Sequence, residues 1–392
     1  MFLAMKSRQM APKGPNSSPR IVVGQAAAAL AVGMGVGRFV YTPVLPLMIA
    51  QAHLSQQAAG LIATANYFGY LLGAIAGIIV PRLLQSTLAL RTSLVVLTVT
   101  LAGMPLTDSV TGWLLLRLVA GVASALIFII AASSMFTRLR EYGSHLIGWG
   151  FGGVGAGIAA SGFLVLLLGC VSNWNAAWFA SAVLAAIFST LCWTLKTGPP
   201  VSTTTVTPTP THPGPLLWFV LILISYSLEG VGYIVAGTFL VAAIDQSAPG
   251  LTGANAWTLV GLAALPSTAF WAWLAYRFRR ATLLIAALVA QAIGIALPAL
   301  FGGAVPALIS ALLFGATFLG IATLALAIGS HLRFPRATAL LTTGYSVGQI
   351  LGPLIVTPWV SHGYREALLF GAAAVVAAAA AAGTLRMKAP DA

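Results

Sequence analysis

Charge is what this 392-residue sequence has least of. Only 6% of its residues are Asp, Glu, Lys or Arg, about a quarter of the share usual in a soluble domain. With 59% hydrophobic residues, too few polar groups remain to cover a water-soluble globule, so that class is excluded and lipid becomes the solvent. The two cysteines, Cys170 and Cys192, fall near opposite ends of consecutive apolar stretches. They are expected to lie beyond the roughly 7 Å a disulfide allows and are read as small apolar packing residues. The six carboxylates (Asp108, Glu141, Glu229, Asp245, Glu366, Asp391) are scattered, and His53, His145, His212, His331 and His362 fall in or near loops. No H-E-x-x-H or phosphate-loop pattern occurs, so no metal, cofactor or catalytic nucleophile is expected and the chain is read as a non-enzyme. Without an ATP-binding motif, any concentrating power has to come from an ion gradient.

What is present is a run of apolar stretches, each long enough to cross a bilayer. Spans are placed near 21–50, 57–80, 88–106, 112–136, 144–170, 175–195, 215–243, 256–276, 281–302, 305–330, 338–360 and 366–385. The first twenty residues are basic and lack a short apolar core before a small-residue cleavage site, so the first stretch is read as a retained span. The net charge of +13 would suggest nucleic acid in a soluble protein, but here it sorts by side. Sixteen Lys and Arg collect on the face shared by both termini and only Arg365 lies on the other. That asymmetry places both termini in the cytoplasm and gives no support to nucleic-acid binding.

Between Thr197 and Pro215 six prolines stand among threonines, a composition that cannot continue a helix. The expected organisation is therefore a cytoplasmic tail (1–20), a six-helix half (21–196), a cytoplasmic linker (197–214), a second six-helix half (215–385) and a short tail (386–392). The halves echo one another. Gly35-Val36-Gly37 in span one recurs as Gly230-Val231-Gly232 in span seven, and Gly60-Leu61 in span two as Gly261-Leu262 in span eight. Repeated halves of this kind predict a site near the midplane between them, with rocking motions alternating access. Spans five and eleven carry glycines at close spacing (Gly148 to Gly157; Gly344, Gly348, Gly352), which lets helix backbones approach.

The run Gly35-Val36-Gly37-Arg38-Phe39-Val40-Tyr41-Thr42-Pro43-Val44-Leu45-Pro46, followed by Ala65-Asn66-Tyr67-Phe68-Gly69-Tyr70-Leu71, resembles the opening of the YbfB/YjiJ family of major facilitator superfamily transporters. The resemblance continues through Leu228-Glu229-Gly230-Val231-Gly232-Tyr233 and Gly348-Gln349-Ile350-Leu351-Gly352-Pro353, and so runs essentially from end to end. It implies an all-α fold of twelve transmembrane helices in two pseudo-symmetric six-helix halves, and secondary transport, without naming a cargo. One departure stands out: the superfamily's loop pattern G-x-x-x-D-R-x-G-R keeps Gly77 and Arg82 here, while Pro81 and Leu84 occupy the Asp and Gly positions.

Three charged residues fall well inside the spans: Arg38, Arg117 and Glu229. A charge at that depth costs about 2.5 to 3.5 kcal/mol, so each is expected to face the bundle interior with a partner or a task. On a regular helix, Arg38 lies about 27 Å from Arg20 and Glu229 about 21 Å from Pro215. Two readings of Arg38 and Glu229 follow. Either they form a charge pair between the halves, or Arg38 attracts an anionic group of the cargo while Glu229 carries a coupling proton. For Arg117 the resemblance to facilitator-type transporters implies a part in proton coupling, and the alternative is a packing residue bonded to backbone carbonyls. Tyr41, Asn66, Tyr67, Tyr70, Tyr233, Trp271, Thr317, Tyr345 and Gln349 are candidate cavity-lining residues, with helix-to-helix packing as the alternative for each.

The leading expectation is a monomeric, proton-coupled transporter of a small organic anion in the cytoplasmic (inner) membrane. Its partners would be the cargo, protons and the lipid bilayer. Efflux of lipophilic or cationic compounds bound at Glu229 is the first alternative. A non-transporting membrane sensor or a lipid-modifying enzyme is the remote one.

Overall fold

The computed structural model describes residues 18–139, 142, 144–168, 173–197, 214–248, 252–332, 334, 337–361 and 363–388. Most of the linker, the N-terminal tail to residue 17, Cys170, Arg140, Glu141, His212, Arg333, Arg336, His362 and Asp391 lie outside them. Among the described residues twelve helices are long and apolar enough to span a membrane. In chain order they are α1 (Pro19–Gln51), α2 (Gln56–Ile79), α3 (Thr87–Leu106), α4 (Val110–Arg138), α5 (Leu146–Leu168) and α6 (Trp174–Cys192). After residues 198–213 come α7 (Leu216–Ser247), α8 (Thr252–Leu274), α9 (Arg280–Leu300), α10 (Ala304–His331), α11 (Ala337–Val360) and α12 (Arg365–Arg386). Each expected span is present.

The helix starts follow from short polar residues. Ser55, Ser86 and Asn173 accept backbone N–H groups from Ala58, Ala89 and Ala176 at 3.0 to 3.1 Å, which satisfies donors that have no partner within the first turn. The outward faces carry large apolar side chains such as Val99, Leu115 and Val183, all about 60% exposed. In water such a surface would associate; against lipid it is the required one.

Within the first half, α2 packs along α4, and α1 along α5; in the second, α8 packs along α10, and α7 along α11. The two halves meet chiefly through α5 on α8, with α2 on α11 and α1 on α7 completing the contact. Glycine permits the tightest of these seams. A Cβ added to Gly35 of α1 would lie 2.5 Å from the Gly157 Cα of α5, and one on Gly261 of α8 would strike the Ala159 backbone of α5.

The first span departs from a continuous helix. It is α-helical from Pro19 to Leu30, a π-helix from Ala31 to Val36, a turn over 37–40, and α-helical again from Tyr41 to Gln51. Two causes converge on this point. Gly33, Gly35 and Gly37 contribute little helix propensity, and Pro43 has no N–H to offer the Phe39 carbonyl. The widened ladder shows in Gly37 N–H donating to Val32 O at 2.8 Å and Phe39 N–H to Met34 O at 3.2 Å. Arg38 therefore sits in an interrupted stretch, where a depth counted from regular helical rise does not hold.

Candidate functional site

The interruption in α1 leaves carbonyls to be satisfied, and Arg117 of α4 takes two of them. Its Nη1 donates to Gly37 O and its Nη2 to Arg38 O, each at 2.8 Å. The guanidinium is 1% exposed and flanked by the rings of Tyr41 at 5.4 Å and Trp178 at 6.0 Å. Asn66 of α2 donates to Arg117 O at 2.9 Å, and Tyr41 donates to Ala59 O at 3.0 Å. The result is a rigid knot of α1, α2, α4 and α6 directly behind Arg38.

Arg38 projects from that knot toward the second half. Its Nη2 donates to Gln349 Oε1 of α11 at 2.6 Å, while its Nε has no partner. The rings of Tyr70 and Tyr67 lie 4.6 and 4.9 Å from the guanidinium carbon, contacts worth up to about 2 kcal/mol when desolvated. The side chain is 2% exposed and forms no ion pair with any described residue. Further along the same contact, Tyr67 and Thr238 of α7 are hydrogen-bonded at 2.8 Å. Because the Thr238 hydroxyl proton goes to Ile234 O at 2.7 Å, Tyr67 is the donor. Thr42 donates to the Gly237 carbonyl of α7.

From Gln349 the polar chain continues weakly to Tyr233 of α7, whose hydroxyl receives Gln349 Nε2 at 3.5 Å. Tyr233 stacks with Tyr345 at 5.6 Å, Phe318 at 5.9 Å and Phe314 at 6.1 Å, and Tyr345 stacks on Tyr226 at 4.4 Å. Glu229 lies one turn before Tyr233 and three residues after Tyr226, on the face they share. It is fully buried, and neither carboxyl oxygen has a hydrogen-bond partner. The polar side chain it meets is Gln291 of α9, also fully buried with both amide atoms unpartnered. Glu229 thus turns into the interior of the second half, and the direct pair with Arg38 is not formed.

A family model described as uncharacterised MFS-type transporter YbfB matches residues 30–383. The chain belongs to that family. No curated protein matches it in sequence. Among solved structures, a mutant form of the nucleoside transporter NupG superposes with a TM-score of 0.72 at 16% identity, covering 93% of this chain and 99% of that one. NupG without that mutation gives 0.70 at 14% identity, covering 94% and 98%. At such identities the likeness is one of fold. Family and fold together make this a twelve-helix, multi-pass secondary transporter of a small molecule.

Within this transporter the structure brings together Arg38, Tyr67, Tyr70, Tyr233, Tyr345 and Gln349. It sets the remaining candidates apart. Asn66 joins α2 to α4 through Arg117 O. Trp271 donates to Ala316 O at 2.7 Å, joining α8 to α10, and Thr317 returns its proton to Leu313 O of its own helix at 2.7 Å. Tyr41 lies within the knot behind Arg38. Two residues escaped sequence reasoning: Tyr226, three positions before Glu229, and Gln291, the one polar side chain of α9 beyond its first turn. Both carried a legible signal, since polar groups inside a span are rarely without a role.

Proposed function

We propose that this transporter moves a small organic anion by alternating access, driven by protons. In this reading it works as a monomer in the cytoplasmic membrane, with both termini on the basic, cytoplasmic face. The observation that carries the reading is Arg38: a buried guanidinium between the halves, free of any carboxylate, with an unpartnered Nε and two aromatic rings alongside. A carboxylate or similar group on the cargo would supply the missing charge, and Gln349 would exchange its bond for one to the cargo. The stacked faces of Tyr233 and Tyr345 offer a surface for the cargo's apolar part. Glu229, a carboxyl inside the second half, is the group that takes up and releases the coupling proton.

The test is binding of labelled mono- and dicarboxylates to the purified protein, with labelled quaternary ammonium compounds as the cationic arm. Arg38→Lys keeps the charge but loses the planar fork and is expected to weaken carboxylate binding. Arg38→Ala should weaken it about ten- to a hundredfold, the loss of a charged hydrogen bond of about 1.5 to 3 kcal/mol. Unchanged or tighter carboxylate binding in a folded Arg38→Ala protein overturns the anion reading, and gain of quaternary ammonium binding would replace it with cation export.

A further inference from the structure

Four buried polar atoms lie without partners at one place in the second half: Oε1 and Oε2 of Glu229, and Oε1 and Nε2 of Gln291. A buried polar group left unbonded costs about 1 to 3 kcal/mol, and the two side chains stand close enough to relieve that cost on each other. The chemistry identifies the state in which they do. A protonated carboxyl has one donor and one acceptor, and so has the face of a primary amide. Set edge to edge, the carboxyl O–H donates to Gln291 Oε1 while Gln291 Nε2–H donates to the carboxyl C=O, which closes a ring and satisfies all four atoms. A carboxylate has no donor for Gln291 Oε1 and would set two acceptors against each other.

We propose that Gln291 is a positioning residue that recognises the protonated form of Glu229 by this carboxyl–amide pairing, inside the second half and apart from the Arg38 site. The proposal rests on the reading of Glu229 as proton carrier. Proton and cargo then occupy different places, linked by α7, since Glu229 is one turn from Tyr233 and Tyr233 receives Gln349, the partner of Arg38. Among the described residues no further charged side chain faces the pair. Tyr226 and Tyr233 face Glu229 from its own helix and Tyr345 from α11. The charged residues of α12 (Arg365, Glu366, Arg386), Asp245 of α7, Arg280 of α9 and His331 of α10 stand at helix ends. The α8 helix carries no Asp, Glu, Lys, Arg or His, and Arg38 of α1 reaches this cluster through Tyr233 and Tyr345 and, by way of Tyr70 of α2, through Tyr226.

The probe is the proton itself. Infrared difference spectra of the purified full-length protein, recorded between two pH values, should contain a carboxylic-acid C=O band that is absent in Glu229→Gln. In Gln291→Leu that band should move to higher frequency, because the carbonyl loses its donor. In the double variant Glu229→Gln with Gln291→Glu, one acid and one amide face each other again, and the band should return close to its original position. Gln291→Met, which keeps the length of the side chain without the amide, serves if the leucine variant does not fold. No Glu229-dependent band would mean that Glu229 does not exchange protons, and the underlying reading fails. A Glu229-dependent band that stays in place in Gln291→Leu or Gln291→Met overturns the pairing alone. A band abolished by replacing choline chloride with sodium chloride at fixed pH would assign the four atoms to a metal cation and likewise overturn it.

Discussion

At the scale of single residues, the sequence marks Arg38, Arg117 and Glu229 by depth and charge, and the structure assigns each a different neighbourhood. Depth follows from counting along the chain where the helix is regular, as at Arg117 and Glu229, whereas at Arg38 the π-helical interruption upsets the count. Direction does not follow from counting, because a helix turns about 100° per residue and only the packed neighbours decide which face points where. That is why Glu229, which pseudo-symmetry aligns with Met34 and sets one turn from the Arg38 level, turns instead toward Gln291. Arg117 shows what direction adds. Its two hydrogen bonds end on the Gly37 and Arg38 carbonyls, so it holds the backbone that presents Arg38. Arg117→Met should lower the thermal midpoint of the detergent-solubilised protein by several degrees, since each charged hydrogen bond contributes about 1.5 to 3 kcal/mol and two buried carbonyls are left unpaired. It should also weaken carboxylate binding without touching the cargo. A melting curve identical to wild type would show that these bonds contribute nothing to the fold.

At the scale of elements, all twelve spans are legible because hydrophobic length is a property of the chain alone. The π-helical segment Ala31–Val36 is not, because glycines and a proline weaken the helical ladder without fixing whether it widens, kinks or ends there. The glycines separate the two kinds of information. Gly35 abuts the Gly157 Cα, whereas nothing lies within 4 Å of a Cβ built on Gly24 of the same helix. Gly35→Val should therefore destabilise by the cost of overpacking, about 1 to 3 kcal/mol. Gly24→Ala should leave stability unchanged or raise it by up to about 1 kcal/mol through helix propensity. Thermal unfolding followed by size exclusion of both variants checks the contrast. Equal effects would mean that the α1–α5 seam is not closed at Gly35.

At the scale of the whole molecule, two kinds of contact join the halves. One is the glycine-lined seam of α5 and α8, where Thr268 also donates to Gly148 O at 2.7 Å. The other is a set of polar ties from α1 and α2 to α7 and α11: Arg38 to Gln349, Tyr67 to Thr238 and Thr42 to Gly237. These ties run from the middle of the spans toward the face opposite the basic residues, where Gly60 of α2 also meets Thr357 of α11. A seam of backbones can act as a hinge, but polar ties have to break for that face to open, as alternating access requires. Interhelical hydrogen bonds in membranes average about 0.6 kcal/mol, so removing two should shift the closed-to-open ratio about fivefold to tenfold. In a background with Cys170→Ser and Cys192→Ser, a thiol introduced by Thr357→Cys should react slowly with an impermeant reagent added on the Arg365 side. Adding Tyr67→Phe and Thr42→Val should speed that reaction by about the same fivefold to tenfold. An unchanged rate, with the protein folded, would mean that closure of that face is carried by apolar contact alone, and that the ties set the register of the halves without governing their motion.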